Sequence, residues 1–455
     1  MKDNTEEITS IISIIDDQIS NYEQNDTSVH PYDIAEQLLE LRDESNEDYE
    51  TLIERMPHDI FADVLSELPD HVQEETANFL SVHKLADIAS KMDTDDAATL
   101  IYNISEENEE ISQHILNTLD DEDKAAIQQL IAYKDDEAGS YMQTELFSAR
   151  NNEKIGVALE RLKKLKDDDE VDNIWYVYLV NSRNKYLGSI GLEELIIFDR
   201  DLKFEDIPFD KRKNFSINHK VDIEDVVEMV TNYNLNAIAV VDDMNNLIGR
   251  ITSDDIYDVI QETATEQIFN LAGVNDEAEQ EDDMFEIGKT RAMWLGLNLL
   301  TAIAASMVIG AFDATIQSLV ALAILMPIVA SMGGNAGTQT LTVTVRQMAL
   351  GNIDEEDAKK TIYKEVVISL VNGSIFAVLI GIIAYFWFHM PMLGVVIGLS
   401  MIINLFSAGL FGSVIPLALE KFGVDPAIGS TVLLTTITDV VGFFSFLGLA
   451  SVILL

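Results

Sequence analysis

Apolar residues are laid along this chain in three successive textures. From Asp33 to Tyr133 they recur at helical spacing, with no glycine and only two prolines. Met56, Leu68, Leu80, Met92 and Ile104 stand twelve residues apart, and several open a helix-start signal, as in Met56-Pro57-His58-Asp59, Leu68-Pro69-Asp70 and Met92-Asp93-Thr94-Asp95. A proline or acid in the first turn, followed by an apolar stripe, predicts short capped helices. Repeated at this interval they predict an all-α superhelix over 31–135. The first 30 residues mix short apolar pieces with Asn, Asp and Glu, which predicts a frayed helix on a flexible terminus.

Over 136–252 the texture changes to strand–helix alternation. Ile155–Leu165 reads as an amphipathic helix, Ile174–Val180 as a buried strand, and Leu187–Leu192 as a second strand leading into a helix. The same order returns in Ile223–Tyr233, Ala237–Asp242 and Leu247–Thr252. A helix–strand–strand–helix unit used twice in about 120 residues predicts an α/β domain built by internal duplication. The segment that follows, 253–290, is acidic and predicts a connecting helix.

The third texture is continuous. Five apolar stretches, roughly 291–312, 317–345, 362–388, 392–419 and 427–455, are each long enough to cross a hydrocarbon core of about 30 Å. They predict an all-α, five-helix transmembrane domain over 291–455. Arg291, Arg346, Lys359, Lys360, Lys364 and Lys421 fall in alternate loops, and the other loops carry no Lys or Arg. The positive-inside rule then places the N-terminus in the cytoplasm and the C-terminus outside a multi-pass cell membrane.

Charge sharpens this division. The chain carries 79 acidic against 29 basic side chains, a net charge of -50, and about 70 of the acids precede Arg291. A body this negative repels nucleic acid and attracts cations. Cysteine is absent, which excludes a disulfide framework, a thiolate metal site and a Cys nucleophile. The first residues, MKDNTEEITS, contain no apolar core of a signal peptide, so insertion is expected from the internal spans. His58, His71, His83 and His114 are scattered at no metal-binding spacing. There is no Walker loop and no Ser-His-Asp pattern, so no enzyme class is supported.

Three features inside the spans are foreign to a lipid-facing helix. Pro327 precedes Ser331-Met332-Gly333-Gly334-Asn335-Ala336-Gly337-Thr338-Gln339, where glycines and Asn in mid-membrane are expected to bend the helix and free carbonyls, or to let helices pack closely. Asn404 sits in the fourth span with Pro416. Asp439 lies in Thr435-Thr436-Ile437-Thr438-Asp439-Val440-Val441-Gly442, with no Lys or Arg in any span centre to neutralise it. A carboxylate there costs about 2.5–3.5 kcal/mol to insert, so it is expected to face water or a cation. Carboxylate, hydroxyl and backbone oxygens suit a hard cation such as magnesium, which gives up its water reluctantly. Oxygen-lined sites also admit Co2+, Ni2+ and Mn2+.

A second acidic feature points to control. Asp255, Asp258, Glu262 and Glu266 recur at helical spacing on one face, and Asp222, Glu224 and Asp225 open the helix of the second α/β copy. Such faces repel until a divalent ion bridges them.

The order of superhelix, duplicated α/β unit, acidic connector and five spans resembles the MgtE magnesium transporters with their tandem CBS domains. The likeness covers nearly the whole chain after residue 30. The residues that carry it are Tyr133 to Met142, the Gly-Gly-Asn-x-Gly-x-Gln run from Gly333 to Gln339, Val424-Asp425-Pro426-Ala427, and Thr438-Asp439-x-x-Gly442. The resemblance implies a homodimer in the lipid bilayer whose pore is lined by the second and fifth spans. Asp439 would hold the ion, Thr435, Ser331 and Gly334 would lend oxygens, and Asn335 would shape the pore. Thr338 stands where the family often has Asn. The acidic connector would be a plug helix, and Asp222, Glu224, Asp255, Asp258, Glu262, Glu266 and Asp425 are the expected regulatory ligands of Mg2+. Asn234, Thr263 and Gln267 occupy positions that are often acidic in the family, which implies fewer regulatory sites. The CBS turn Gly249-x-x-Thr252-x-x-Asp255 is a candidate ribose-binding site, with ATP the nucleotide. The first copy has Gly191 and Glu194 at the Thr and Asp positions. A cation-coupled exchanger and a non-transporting magnesium or nucleotide sensor are the alternatives the sequence leaves open.

Overall fold

The computed structural model describes residues 2–23, 29–167, 171, 173–208, 211–274, 284–350, 353 and 357–455. The chain divides into two compact units, Met1–Gln261 and Glu262–Leu455.

The first unit begins with helices α1 (Lys2–Glu23), α2 (Pro31–Glu44), α3 (Asn46–Arg55), α4 (His58–Ser66), α5 (Asp70–Phe79), α6 (Val82–Ala89), α7 (Thr94–Glu107), α8 (Glu109–Thr118) and α9 (Asp121–Ile131). The twelve-residue apolar repeat has a local cause. Met56, Leu68, Leu80 and Met92 are all buried, and each directly precedes a helix N-cap, respectively Pro57, Pro69, Ser81 and Asp93. A hydrophobic residue in that place packs back on the helix it introduces and fixes the angle of entry. The repeat runs out at Ile104, which is buried inside α7 rather than before a helix.

The terminus expected to be loose differs. α1 buries Ile11 and Ile15 in the same core as Ile34, Leu38 and Phe61. Arg55 pairs with Asp16 at 2.7 Å, and the Tyr22 hydroxyl donates to Asp63 at 2.7 Å. The short apolar pieces are enough to dock one helix face even though the other face is polar.

The duplicated α/β part contains β1 (Ser148–Arg150), α10 (Ile155–Asp167), β2 (Tyr176–Val180), β3 (Tyr186–Gly191), α11 (Leu192–Leu195), β4 (Ser216–Asn218), α12 (Ile223–Tyr233), β5 (Ala237–Val241), β6 (Leu247–Thr252) and α13 (Ser253–Ala272). Each copy forms a three-stranded sheet, β1-β2-β3 and β4-β5-β6, with a parallel first pair and an antiparallel second pair. Both carry a register shift at the same place, between Leu179 and Val180 and between Val240 and Val241. The two hairpin turns also lock together. Asn184 and Asn245 have positive φ of 59° and 61°, and each side-chain amide donates across to the other copy, to the carbonyls of Leu247 and Tyr186 at 3.1 Å.

Strand alternation sets what lies between the sheets. Tyr176, Tyr178 and Val180 of β2 share an apolar cluster with Ala237, Ala239 and Val241 of β5, so large residues of one copy meet small ones of the other. The intervening Val177 and Leu179 turn instead to Ile155, Ala158 and Leu162 of α10.

Five helices among the described residues are long and apolar enough to cross a membrane: a first span Ile287–Ala311, a second Ala321–Ala349, a third Ala358–Phe388, a fourth Pro391–Lys421 and a fifth Ser430–Ile453. The expected connecting helix over 253–290 is not one element. α13 ends at Ala272, and the helix of the first span begins at Met284; 275–283 lie outside the described residues. A short helix, Asp313–Ser318, precedes the second span. The fourth span is the scaffold of the unit, burying 67% of its apolar window against 6% for the first. Small residues let its neighbours come close. A Cβ added at Gly394 would stand 2.6 Å from the Gly381 carbonyl of the third span.

Candidate ion site

The second span runs unbroken from Ala321 to Ala349 with Pro327 inside it, so the expected bend does not interrupt the helix. Its two central glycines point in different directions. A Cβ on Gly333 would meet the Asn404 amide at 2.2 Å, whereas a Cβ on Gly334 would meet nothing within 4 Å. Gly337 packs on Leu434 of the fifth span, 3.0 Å from an added Cβ. Close packing therefore explains Gly333 and Gly337, and open space surrounds Gly334.

Ser331, Asn335 and Thr338 are exposed at spacings of four and three, which puts them on one face of the second span. The Asn335 amide donates to the Ser331 hydroxyl at 3.3 Å. On the fifth span Thr431, Thr435 and Asp439 follow at intervals of four and are all partly exposed. The Thr435 hydroxyl donates to the Thr431 carbonyl at 2.9 Å, leaving its lone pairs available. Asp439 makes no hydrogen bond or ion pair with any described residue, including Ser331, Asn335 and Thr338. The result is two polar stripes on helices of one bundle, one of them carrying an uncompensated carboxylate.

Asn404 occupies the centre of the fourth span and is fully buried. Its Nδ2 donates to the Val329 carbonyl at 2.8 Å. Glu365 was not singled out from the sequence, because it lies near the polar start of the third span. It is buried and accepts from the Thr340 hydroxyl at 3.3 Å. The signal that could have marked it is an acid two turns inside the helix, directly before its apolar run.

In the first unit the acidic residues fall into two groups. Asp222 is the N-cap of α12, accepting from the Glu224 backbone N–H at 2.9 Å, so helix capping occupies it. Asp255 of α13 faces acids at the start of α7: Asp254 and then Asp93 act on it, and Asp255 in turn acts on Asp95 and Asp96. Burial together with these like charges pushes Asp95 well up, Asp96 to about 7 and Asp255 to about 6. Asp258 is raised by burial and then by Asp254, and it bears on Glu67, whose carboxyl is also raised by burial. As the side chains stand, no three metal-binding side chains among the described residues converge closely enough to hold an ion. The cluster is an electrostatic strain that a divalent cation would relieve.

Further along α13, the Asn270 amide reaches Glu266 at 3.3 Å and Asp425 at 3.1 Å. Asp425 also accepts from the Ala427 N–H at 2.8 Å, and the Thr431 hydroxyl donates to the Leu271 carbonyl at 2.8 Å. Within the second unit, the end of α13 is thus fastened to the start of the fifth span.

In this arrangement the groups of the candidate nucleotide turns bond to residues of the chain itself. In the second copy Thr252 is buried, and its hydroxyl and N–H both donate to Asp255 Oδ2, at 2.5 and 3.1 Å. Gly249 is covered by Met142 Sδ and the Gln143 carbonyl, at 2.8 and 2.9 Å from an added Cβ. In the first copy Gly191 offers no hydroxyl, and Glu194 pairs with Lys211 at 3.2 Å.

Comparison with known proteins agrees with this layout. Residues 326–449 match the MgtE family described as divalent cation transporter, 29–136 match the MgtE intracellular N domain, and 205–262 match the CBS domain. The magnesium transporter MgtE of Enterococcus faecalis is 33% identical over 330 residues, 72% of each chain. That of Thermus thermophilus is 29% identical over 94% of this chain and 93% of its own length. The solved cytosolic domain of the Mg2+ channel MgtE in complex with ATP is 27% identical, covering 51% of this chain and 90% of that one, with a TM-score of 0.46. With its superhelical domain, duplicated α/β unit and five spans, the chain belongs to the MgtE family of magnesium transporters and is not an enzyme.

Proposed function

We propose that the chain passes hydrated magnesium down its electrochemical gradient into the cytoplasm along the polar faces of the second and fifth spans, as a homodimer in the cell membrane with its C-terminus outside. The observation that carries this reading is Asp439: a carboxylate inside an apolar span with no cationic partner among the described residues. Such a group is stable only beside water or a mobile cation. Thr435 one turn before it, and Ser331, Gly334, Asn335 and Thr338 on the second span, supply neutral oxygens and room. Hydroxyls and carbonyls can grip a hydrated ion by its water without stripping it.

Closure at high cytosolic magnesium is the second half of the proposal. Asp255 and Asp258 would share divalent ions with Asp93, Asp95, Asp96 and Glu67, and within the second unit Glu262, Glu266 and Asp425 would form a separate group. Ion binding would replace repulsion by attraction and favour the closed arrangement. No step is assigned to a nucleotide: Thr252 is bonded to Asp255 in the second copy, and Glu194 is paired with Lys211 in the first.

Magnesium uptake by a strain lacking its own uptake systems tests the reading. Asp439→Ala should abolish rescue while the protein still inserts. Undiminished rescue by Asp439→Ala would place the ion path elsewhere, no rescue by the unaltered chain would leave a sensor without transport, and flux that requires a sodium or proton gradient would point to an exchanger.

A further inference from the structure

Asn404 is the one polar side chain at the centre of the fourth span whose surroundings are set by two glycines of other helices. A Cβ at Gly333 would lie 2.2 Å from its Nδ2, and one at Gly442 would lie 2.7 Å from the same atom. Gly333 directly precedes Gly334 and Asn335, and Gly442 is three residues beyond Asp439. The amide therefore touches both helices that carry the candidate ion groups, at the level of those groups. It is pinned in place by the Nδ2 bond to the Val329 carbonyl at 2.8 Å.

The cost of this arrangement shows what it is for. Asn404 Oδ1 is buried and accepts no hydrogen bond among the described residues. A desolvated amide oxygen without a donor weakens a fold. Val329 lies inside a continuous helix, so its carbonyl keeps an intrahelical partner without Asn404. Leucine has nearly the same shape, would satisfy the packing and would leave no orphaned oxygen. The amide is thus a poor choice for stability alone.

We propose that Asn404 is a positioning residue for ion passage, its amide setting the separation and rotation of the second and fifth spans at the level of Gly334 and Asp439. This rests on the ion path proposed above. The two glycines follow from it: each is the space the amide needs, and neither helix can approach or turn without striking it.

The test uses the full-length protein in liposomes, with magnesium flux and thermal unfolding measured on the same preparations. Asn404→Leu should melt at or above the wild-type temperature, while the magnesium concentration for half-maximal flux or the maximal rate changes by about tenfold or more, a split that a purely structural residue would not produce. Gly442→Ala should lower the melting temperature, and adding Asn404→Ala to it should restore at least half of that loss, because the clash is with the amide, while flux stays about tenfold below wild type. Wild-type flux in Asn404→Leu overturns the proposal. So does failure of that variant to insert, which would make Asn404 a folding residue, and so does wild-type flux, or no recovery of melting temperature, in the double variant. Asp439→Ala is run alongside: if it transports normally, the ion path itself is wrong, whereas a dead Asp439→Ala with a normal Asn404→Leu rejects only the role given to Asn404.

Discussion

The Asn270 side-chain amide donates to Asp425 Oδ2 at 3.1 Å, joining the end of α13 to the turn that starts the fifth span. A hydrogen bond to a carboxylate is worth about 1.5–3 kcal/mol. Removing it should loosen the coupling between α13 and the helix that carries Asp439. Asn270→Ala is expected to raise the cytosolic magnesium needed for half-closure by about tenfold, read from single-channel or flux records during a magnesium titration. An unchanged closing concentration would remove this contact from the gate.

Asp439→Asn keeps the shape of the side chain and removes only its charge. Transport should fall at least a hundredfold if the negative charge holds the ion, since a neutral amide attracts a hydrated divalent cation far less. Flux assays in liposomes, with folding checked by gel filtration, would show this. Retention of half the wild-type flux would assign the site to the hydroxyls and carbonyls.

Gly334 and Gly337 make a contrasting pair. Gly337→Ala presses on Leu434, and such overpacking costs about 1–3 kcal/mol, so it should lower the melting temperature. Gly334→Ala meets no atom within 4 Å and should leave stability unchanged. Its added methyl projects on the side of Ser331 and Thr338, so conductance should fall instead. Equal melting losses in both would show that Gly334 is a packing residue.

The carboxylates near α7 predict a pH effect of definite sign. Asp96 is raised to about 7 and Asp255 to about 6, against 3.8 when unperturbed. Groups raised on folding add stability at pH below about 4 and lose it as pH rises through 6 and 7. Without divalent ions the protein should therefore unfold more easily at pH 8 than at pH 5.5. Magnesium needs the ionised form, so its stabilisation should be larger at pH 8. Melting curves with chelator and with magnesium at the two pH values would check both, and a magnesium increment independent of pH would contradict the carboxylate cluster as a binding site.

Much of the architecture is legible in the sequence because it is written in local periodicity. Helix α12 and strand β6 begin and end at the residues expected, as caps and turns sit in the chain beside the elements they bound. The face of α1 that docks was harder to see, since Ile11 and Ile15 acquire their meaning only from partners far along the chain. The site follows the same division. Asp439 stands out because charge in an apolar run is visible locally. Asp95 and Asp96 look like ordinary helix-start acids until the fold sets Asp255 against them. Asn404 could be noticed from sequence, but its relation to Gly333 and Gly442 belongs to three helices at once.

The meeting of β2 with β5 has a consequence for how the duplicated unit can change. Tyr176 and Tyr178 face Ala237 and Ala239, so the two halves have become complementary rather than equivalent. A chain carrying the first half twice would set tyrosine against tyrosine, and one carrying the second half twice would leave a void. What began as a repeat now behaves as an obligate pair tied in one polypeptide. Neither half can drift in volume unless the other compensates.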